Sequence, residues 1–305
     1  MSDPDVQCIE AIKSADVRAQ YSAAYDVQLK KWPVAHEERF VSTHFGRTHV
    51  IASGAADAPP LVLLHAFQAT AMVWRFNVEA LSGHFRVYAV DIIGQGGKST
   101  SSRPLKRRGD FAQWFSELFN ALGIVRASLV GNSYGAFLAL SMASLMPERV
   151  SRVVMINPAG TFASFFPIML RMVVGGVSQR ILVAAGMQVA RPAPSVASTL
   201  GRDVVFSPEE AEWANLVSLV AFNGQMRPNA IWPAMISSAE LRKIRAPALL
   251  LLGDNELLYN PQEVLRRAQA RMPTLEARII PGAFHIAAMA KPNEVNASII
   301  EFLQR

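Results

Sequence analysis

Short apolar runs alternate with longer helical patterns along most of this chain, and that rhythm predicts the fold before any single residue is considered. The runs at 61–64, 86–90, 127–130 and 152–156 are short and almost wholly apolar, as expected of strands covered on both faces. Helical patterns fall between and after them, near 74–81, 110–122 and 136–143. A further apolar run at 246–252 and a segment at 275–280 that reads as a strand precede an amphipathic pattern at 295–303. Alternation of this kind implies an α/β protein with a parallel sheet and helices on both faces. Towards the N-terminus, 5–30 reads as a helix, and 40–45 with 48–52 as a hairpin turning at Gly46 and Arg47.

From Gly160 to about Lys243 the alternation stops. Helical patterns rich in Phe, Met, Val and Leu cover 162–177, 179–189, 209–222 and 232–238. Ser207, Pro208 and Glu210 form a helix start: a cap, a proline at the first position and the carboxylate of a capping box. The stretch 165–177 is apolar, but Arg171 interrupts it and no 18 consecutive uncharged apolar residues can be drawn, so no membrane span is expected. The expectation is a helical cap at 161–243, inserted into a core made of 1–160 and 244–305. Phe162, Phe165, Phe166, Met169, Trp213, Phe222 and Trp232 are its candidates to line an apolar pocket, together with Gln68 from the core. Methionine adapts to irregular ligands and an apolar lid excludes water, although the same residues also suit an ordinary helical core.

The chemistry concentrates at the ends of the predicted strands. Gly131-Asn132-Ser133-Tyr134-Gly135 lies between the strand at 127–130 and the helix at 136–143, the context of a nucleophile elbow. There the serine sits on a turn so tight that it is strained, and flanking glycines are needed to avoid collision. A serine nucleophile needs a base and an orienting acid, which follow it in the order acid, then histidine. His285, just past the last strand and a Pro281-Gly282 turn, is the candidate base. The strand at 246–252 ends in Gly253-Asp254-Asn255-Glu256, which offers two carboxylates. The strand at 61–64 leads into His65-Ala66-Phe67-Gln68, and the amides of Phe67 and Tyr134 are the expected oxyanion donors.

These segments, with Asp91 to Ser99 after the fourth strand, resemble the α/β-hydrolase family over nearly the whole chain. The resemblance implies an eight-stranded, mostly parallel sheet and a Ser–acid–His triad. It favours Glu256 as the acid, three residues after the glycine, with Asp254 as the alternative. Val87 to Gly94, Pro147 to Val150 and Asn157-Pro158-Ala159 are most similar to bacterial carboxylesterases that act on arylpropionic acid esters. The implied function is a serine carboxylic-ester hydrolase acting on small to medium apolar or aryl esters. The same machinery serves carbon–carbon bond hydrolases, amidases, peptidases and cofactor-free haloperoxidases, and a non-catalytic ligand-binding protein is the alternative of another class. Dehalogenases and epoxide hydrolases carry aspartate where Ser133 stands. The chain departs from the family at Ala66, where glycine is usual, so a positive φ there would strain the loop.

Composition narrows the partners. At 305 residues and 51% hydrophobic, the chain can bury a large core, and 18% charged residues suit a soluble enzyme, monomeric or homodimeric. One cysteine, Cys8, excludes an internal disulfide, and the polar start Met1-Ser2-Asp3-Pro4-Asp5 is not a signal peptide, so a cytoplasmic location is expected. The net charge of +6 has one basic cluster, Arg103 to Arg108, which lacks interleaved aromatics and reads as a solvated loop, not a nucleic-acid site. Gly97-Lys98-Ser99 is no phosphate loop, because position 92 is isoleucine where that motif needs glycine. His44 and His49 are spaced like paired hairpin positions, but without a companion carboxylate or thiol they define no metal site. No cofactor is expected.

Overall fold

The computed structural model describes residues 15–164, 204, 207–222 and 231–305. Among these, nine strands form one sheet: β1 (His36–Thr43), β2 (Gly46–Ser53), β3 (Pro60–Leu64), β4 (Arg86–Val90), β5 (Thr100–Ser101), β6 (Ala127–Asn132), β7 (Val150–Ile156), β8 (Ala248–Gly253) and β9 (Glu276–Ile280). The order is β1-β2-β4-β3-β6-β7-β8-β9, with the two-residue β5 paired to β2 off this path. The path has the eight strands expected, and β5 is an addition too short to read from sequence. β2 runs antiparallel to β1 and β4, and the pairings from β4 through to β9 are parallel.

Alternation along the strands divides the core into two layers. Val62, Leu64, Leu129, Met155, Leu250 and Leu252 face one side, where α3 (Arg108–Ala121), α4 (Tyr134–Leu145) and α7 (Pro261–Arg271) pack. Leu61, Leu63, Val130, Val154, Leu249 and Leu251 face the other, towards α1 (Ala15–Leu29), α2 (Val78–Ser82), α8 (Ala287–Ala290) and α9 (Pro292–Leu303). The inner strands β3, β4, β6, β7 and β8 have almost no wet face, which is why they read as nearly continuous apolar runs, whereas the edge strand β1 is mostly exposed. Each fully buried side chain of this size contributes about 1.5–3 kcal/mol.

The chain passes from β3 to β4 on one side, then crosses to β6 on the other. Crevices outside the strand ends at such a switch point are where open α/β sheets bind ligands. Leu64 of β3 pairs with Gly131 of β6, so the segments carrying Phe67 and Ser133 leave the sheet side by side.

Three readings from sequence need correction. The hairpin turns at His44 and Phe45, because Thr43 pairs with Gly46. Gly46 is glycine for another reason: it has φ +133°, and a Cβ there would lie 1.9 Å from the Thr100 carbonyl oxygen on β5. The helix expected near 74–81 is a 3-10 turn, Ala71–Phe76, followed by the short α2. The helix expected at 232–238 is absent. Residues 231–237 have no regular structure, consistent with Pro233, and α6 (Ser238–Leu241) starts at a Ser237–Glu240 capping box.

Between β7 and β8 the chain leaves the sheet, and the described part includes α5 (Pro208–Phe222). Its start forms as expected, with the Ser207 amide donating to Glu210 at 2.8 Å and the Glu210 amide to Ser207 at 3.3 Å. α5 lies on α1. Trp213 packs on Tyr21 and Tyr25 at centroid distances of 5.3 and 5.8 Å, Lys31 pairs with Glu209, and Arg75 with Glu210. Among the described residues no helix is long and apolar enough to cross a membrane.

Candidate active site

The turn between β6 and α4 leaves Ser133 at φ 53° and ψ −108°, outside both regular regions. Such a residue costs on the order of 1–3 kcal/mol and persists only where its surroundings over-determine it. Here they do. A Cβ at Gly131 would lie 2.3 Å from the Gly135 carbonyl carbon, and one at Gly135 would lie 2.0 Å from the Leu64 carbonyl oxygen. Strand, turn and helix therefore press together only because both flanking residues are glycine. The Ser133 amide donates to the Ile156 carbonyl at 2.8 Å, fastening the turn to β7.

His285 and Glu256 converge on this serine. The Ser133 hydroxyl lies 2.8 Å from His285 Nε2, and His285 Nδ1 lies 2.7 Å from Glu256 Oε2. With the ring proton on Nδ1, His285 donates to the carboxylate and accepts from the hydroxyl. The Glu256 side chain is fully buried, and its other oxygen accepts the Leu258 amide at 2.9 Å. Asp254, the alternative acid, is exposed in the turn before it.

Asn157 holds the three loops together, a role not read from sequence. Its side-chain Nδ2 donates to the carbonyls of Phe284 and His285 at 3.0 and 2.9 Å, and its Oδ1 accepts the Gly253 amide at 2.9 Å. It is buried with φ 43°, a conformation asparagine tolerates better than most residues. The available signal was an asparagine directly after the apolar strand at 152–156.

The loop after β3 is built around two side chains. His65 is buried, and burial pushes its pKa down. Its Nε2 accepts the Ile92 amide at 2.9 Å, which leaves Nδ1 to donate to the Ala66 carbonyl at 2.8 Å. That carbonyl also accepts the Ala69 amide at 3.1 Å. The positive φ expected to strain Ala66 falls instead on Gln68, at 57°. Gln68 is buried, with its amide N–H donated to Gln95 Oε1 at 3.0 Å. The amides of Phe67 and Tyr134 have no acceptor among the described residues.

Of the candidate pocket residues, Trp232 lies here: its ring stacks on Phe67 at 5.9 Å, and Phe67 meets Tyr134 edge-on at 5.6 Å. Phe162 is fully buried in the core. Trp213 is placed elsewhere, between α1 and α5, where its indole fills the contact between two helices. Phe165, Phe166 and Met169, and the side chain of Phe222, lie outside the described residues.

A second polar cluster lies under β2. His49 is completely buried, with Nδ1 2.8 Å from Asp91 and Nε2 3.0 Å from Glu38. Asp91 also accepts from the Tyr25 hydroxyl at 3.0 Å and from the amides of Ala71 and Lys98 at 2.7 and 2.8 Å. His44 is in the hairpin turn beside Arg103, so the two histidines do not pair across the hairpin. Among the described residues no cluster suits a metal ion.

The chain belongs to the alpha/beta hydrolase fold family, whose model matches residues 59–292. Within it, carboxylesterase YbfK of Bacillus subtilis is 35% identical over 93% of each chain. An uncharacterized carboxylesterase nap of the same organism is 33% identical over 94% of this chain and 93% of its own. The crystal structure of naproxen esterase (carboxylesterase NP) from Bacillus subtilis superposes with a TM-score of 0.82 at 31% identity, covering 95% of this chain and 99% of that one.

Proposed function

We propose that this protein is a serine carboxylic-ester hydrolase that works through an acyl-enzyme on small to medium apolar or aryl esters. The observation that carries the reading is the continuous relay from the strained Ser133 hydroxyl through His285 to the buried Glu256, at 2.8 and 2.7 Å. His285 Nε2 takes the Ser133 proton as Oγ attacks the ester carbonyl, and Glu256 stabilises the imidazolium that forms. The amides of Phe67 and Tyr134 receive the oxyanion, and donors of this kind are worth about 3–4 kcal/mol each. The alcohol leaves with the proton from His285, and water repeats the cycle on the acyl group. The names of the two Bacillus subtilis carboxylesterases and of naproxen esterase support an ester as substrate. The Phe67–Tyr134–Trp232 ring cluster supports an aryl or apolar acyl group. In this reading 161–243 is a cap over the strand ends, and α5 fastens it to α1. A cytoplasmic location suits a chain with a single cysteine.

The test pairs a p-nitrophenyl ester series with fluorophosphonate labelling of wild type and Ser133→Ala. Wild type is expected to hydrolyse the esters and to take the label. Ser133→Ala is expected to lose the label and on the order of 10⁵–10⁶ in kcat. Labelling that persists in Ser133→Ala would disprove the assignment of the nucleophile.

A further inference from the structure

The proposed oxyanion hole depends on the direction in which the Phe67 amide points, and a peptide plane is turned by what holds its two ends. The plane joining Ala66 to Phe67 is held at its oxygen, by the His65 ring at 2.8 Å and the Ala69 amide at 3.1 Å. The next plane, joining Phe67 to Gln68, is held at its nitrogen by the Gln95 side chain, whose Oε1 accepts the Gln68 N–H at 3.0 Å. Gln68 needs such a hold, because its φ of 57° is unfavourable for a residue with a side chain. The two loops are also in close contact. A Cβ on Gly96 would lie 2.7 Å from the Ala69 carbonyl oxygen and 3.3 Å from that of Gln68.

We propose that Gln95 is a positioning residue for the oxyanion hole: by accepting the Gln68 N–H it keeps the loop in the one conformation that leaves the Phe67 N–H free and aimed beside that of Tyr134. This rests on the reading of the site as a serine esterase. A purely stabilising role is a poor explanation of these two buried amides. Gln68 Nε2 and Oε1 and Gln95 Nε2 are buried without a partner among the described residues, and buried polar atoms left in this way destabilise a fold. An apolar pair would be cheaper there, and departures of that kind are expected where function demands them. The departure at Ala66 fits as well. The loop takes its left-handed residue at 68 and not at 66, so the acceptor on Gln95 supplies the control that a glycine at 66 would otherwise give.

The test compares Gln95→Met, which keeps the length and loses the acceptor oxygen, with Gln95→Glu, which keeps an acceptor of the same reach. Displacing a donor by about 1 Å can cost about 10²-fold. Gln95→Met is therefore expected to lower kcat by about 10- to 100-fold with KM within about threefold of wild type. Its rate of labelling by a fluorophosphonate, which also needs the oxyanion hole, should fall in parallel. Gln95→Glu should retain more of both than Gln95→Met does. A Gln95→Met enzyme within about threefold of wild type in kcat and labelling rate would overturn the proposal, as would Gln95→Glu falling below Gln95→Met. A drop confined to KM would also overturn it. If Gln95→Met fails to fold, the comparison of Gln95→Glu with wild type decides, with a loss beyond about 100-fold counting against the proposal. Absence of ester turnover in wild type would instead sink the esterase reading, while the ratio of labelling rates still tests the loop.

Discussion

Two buried histidines in this molecule each touch a carboxylate through Nδ1 at short distance, His285 with Glu256 at 2.7 Å and His49 with Asp91 at 2.8 Å. What differs is the partner of the other nitrogen. His285 Nε2 faces the Ser133 hydroxyl, which holds a proton it can give up. His49 Nε2 faces Glu38, a second carboxylate that can only accept. His285 therefore keeps a lone pair directed at a nucleophile, whereas His49 must carry protons on both nitrogens to satisfy both neighbours. Burial lowers the His49 pKa, but the hydrogen bonds to Asp91 and Glu38 outweigh it and raise the net value. One arrangement suits a base and the other a fixed charge, from nearly the same parts. A histidine–carboxylate pair is thus no sign of catalysis until the second nitrogen is accounted for.

The largest effect that separates the two pairs comes from the carboxylates. Glu256→Gln should lower kcat by about 10⁴, because an amide no longer favours the Nδ1–H tautomer or stabilises the imidazolium. Asp254→Asn, exposed two residues earlier, should stay within about threefold of wild type. Equal losses in both would mean that the turn, not the relay, is what matters. Asn157→Gly should come next. Glycine accepts the φ of 43° without strain, so the variant removes the buried side chain and its hydrogen bonds to Gly253, Phe284 and His285 without straining the backbone. A loss of about 10- to 100-fold in kcat is expected from the misplaced base, with a smaller change in KM. Full activity in Asn157→Gly would show that β8 and the His285 loop hold their own positions.

The difference between the pairs also explains what the sequence could and could not disclose. The meeting of Ser133 with His285, and the strands around them, were legible because each obeys a local rule: two glycines at fixed spacing, a turn after a strand, a fixed order of residues along the chain. The carboxylate beside His285 was half-legible, since Asp254 and Glu256 both follow the same glycine and only the fold puts one of them against the histidine. His49, Asn157 and Gln95 follow no such rule. Their partners lie 11 and 42, 96 to 128, and 27 residues away, so no local spacing identifies the partner. Gly46 misled for the complementary reason. A glycine in a predicted hairpin suggests the turn, whereas this one makes room for β5. The apolar ring of Trp213 suits a pocket in the sequence, and only the packing of α5 on α1 gives it Tyr21 and Tyr25 as neighbours.

The smallest effect on activity and the clearest on stability should come from His49→Leu. The histidine does not touch the proposed catalytic residues, so kcat at its optimum should stay within about threefold. Stability should fall by about 3 kcal/mol near pH 6, the cost of leaving the buried Asp91 carboxylate short of a partner. The pH dependence carries the sharper prediction. A histidine whose native pKa is raised stabilises fully below its unfolded value of about 6.5, and that stabilisation is lost as pH rises through the native value. The carboxylates act in the opposite sense and at lower pH. Burial works against Asp91 ionisation, but the His49 hydrogen bond and charge bring its pKa below the ordinary range, and the His49 hydrogen bond leads in lowering Glu38 to about 2. Both stay ionised above about pH 5. The other groups around the ring do not compete in the alkaline window. Burial raises Tyr21 and Tyr25, and the bonds of Lys98 to Asp26 and Glu38 outweigh its burial and raise it too, while burial keeps His65 low. Denaturant unfolding of wild type and His49→Leu from about pH 6 to 9 should therefore give a stability gap that narrows as pH rises. A gap independent of pH would mean that His49 is neutral in the native protein, and the contrast with His285 would then rest on position alone.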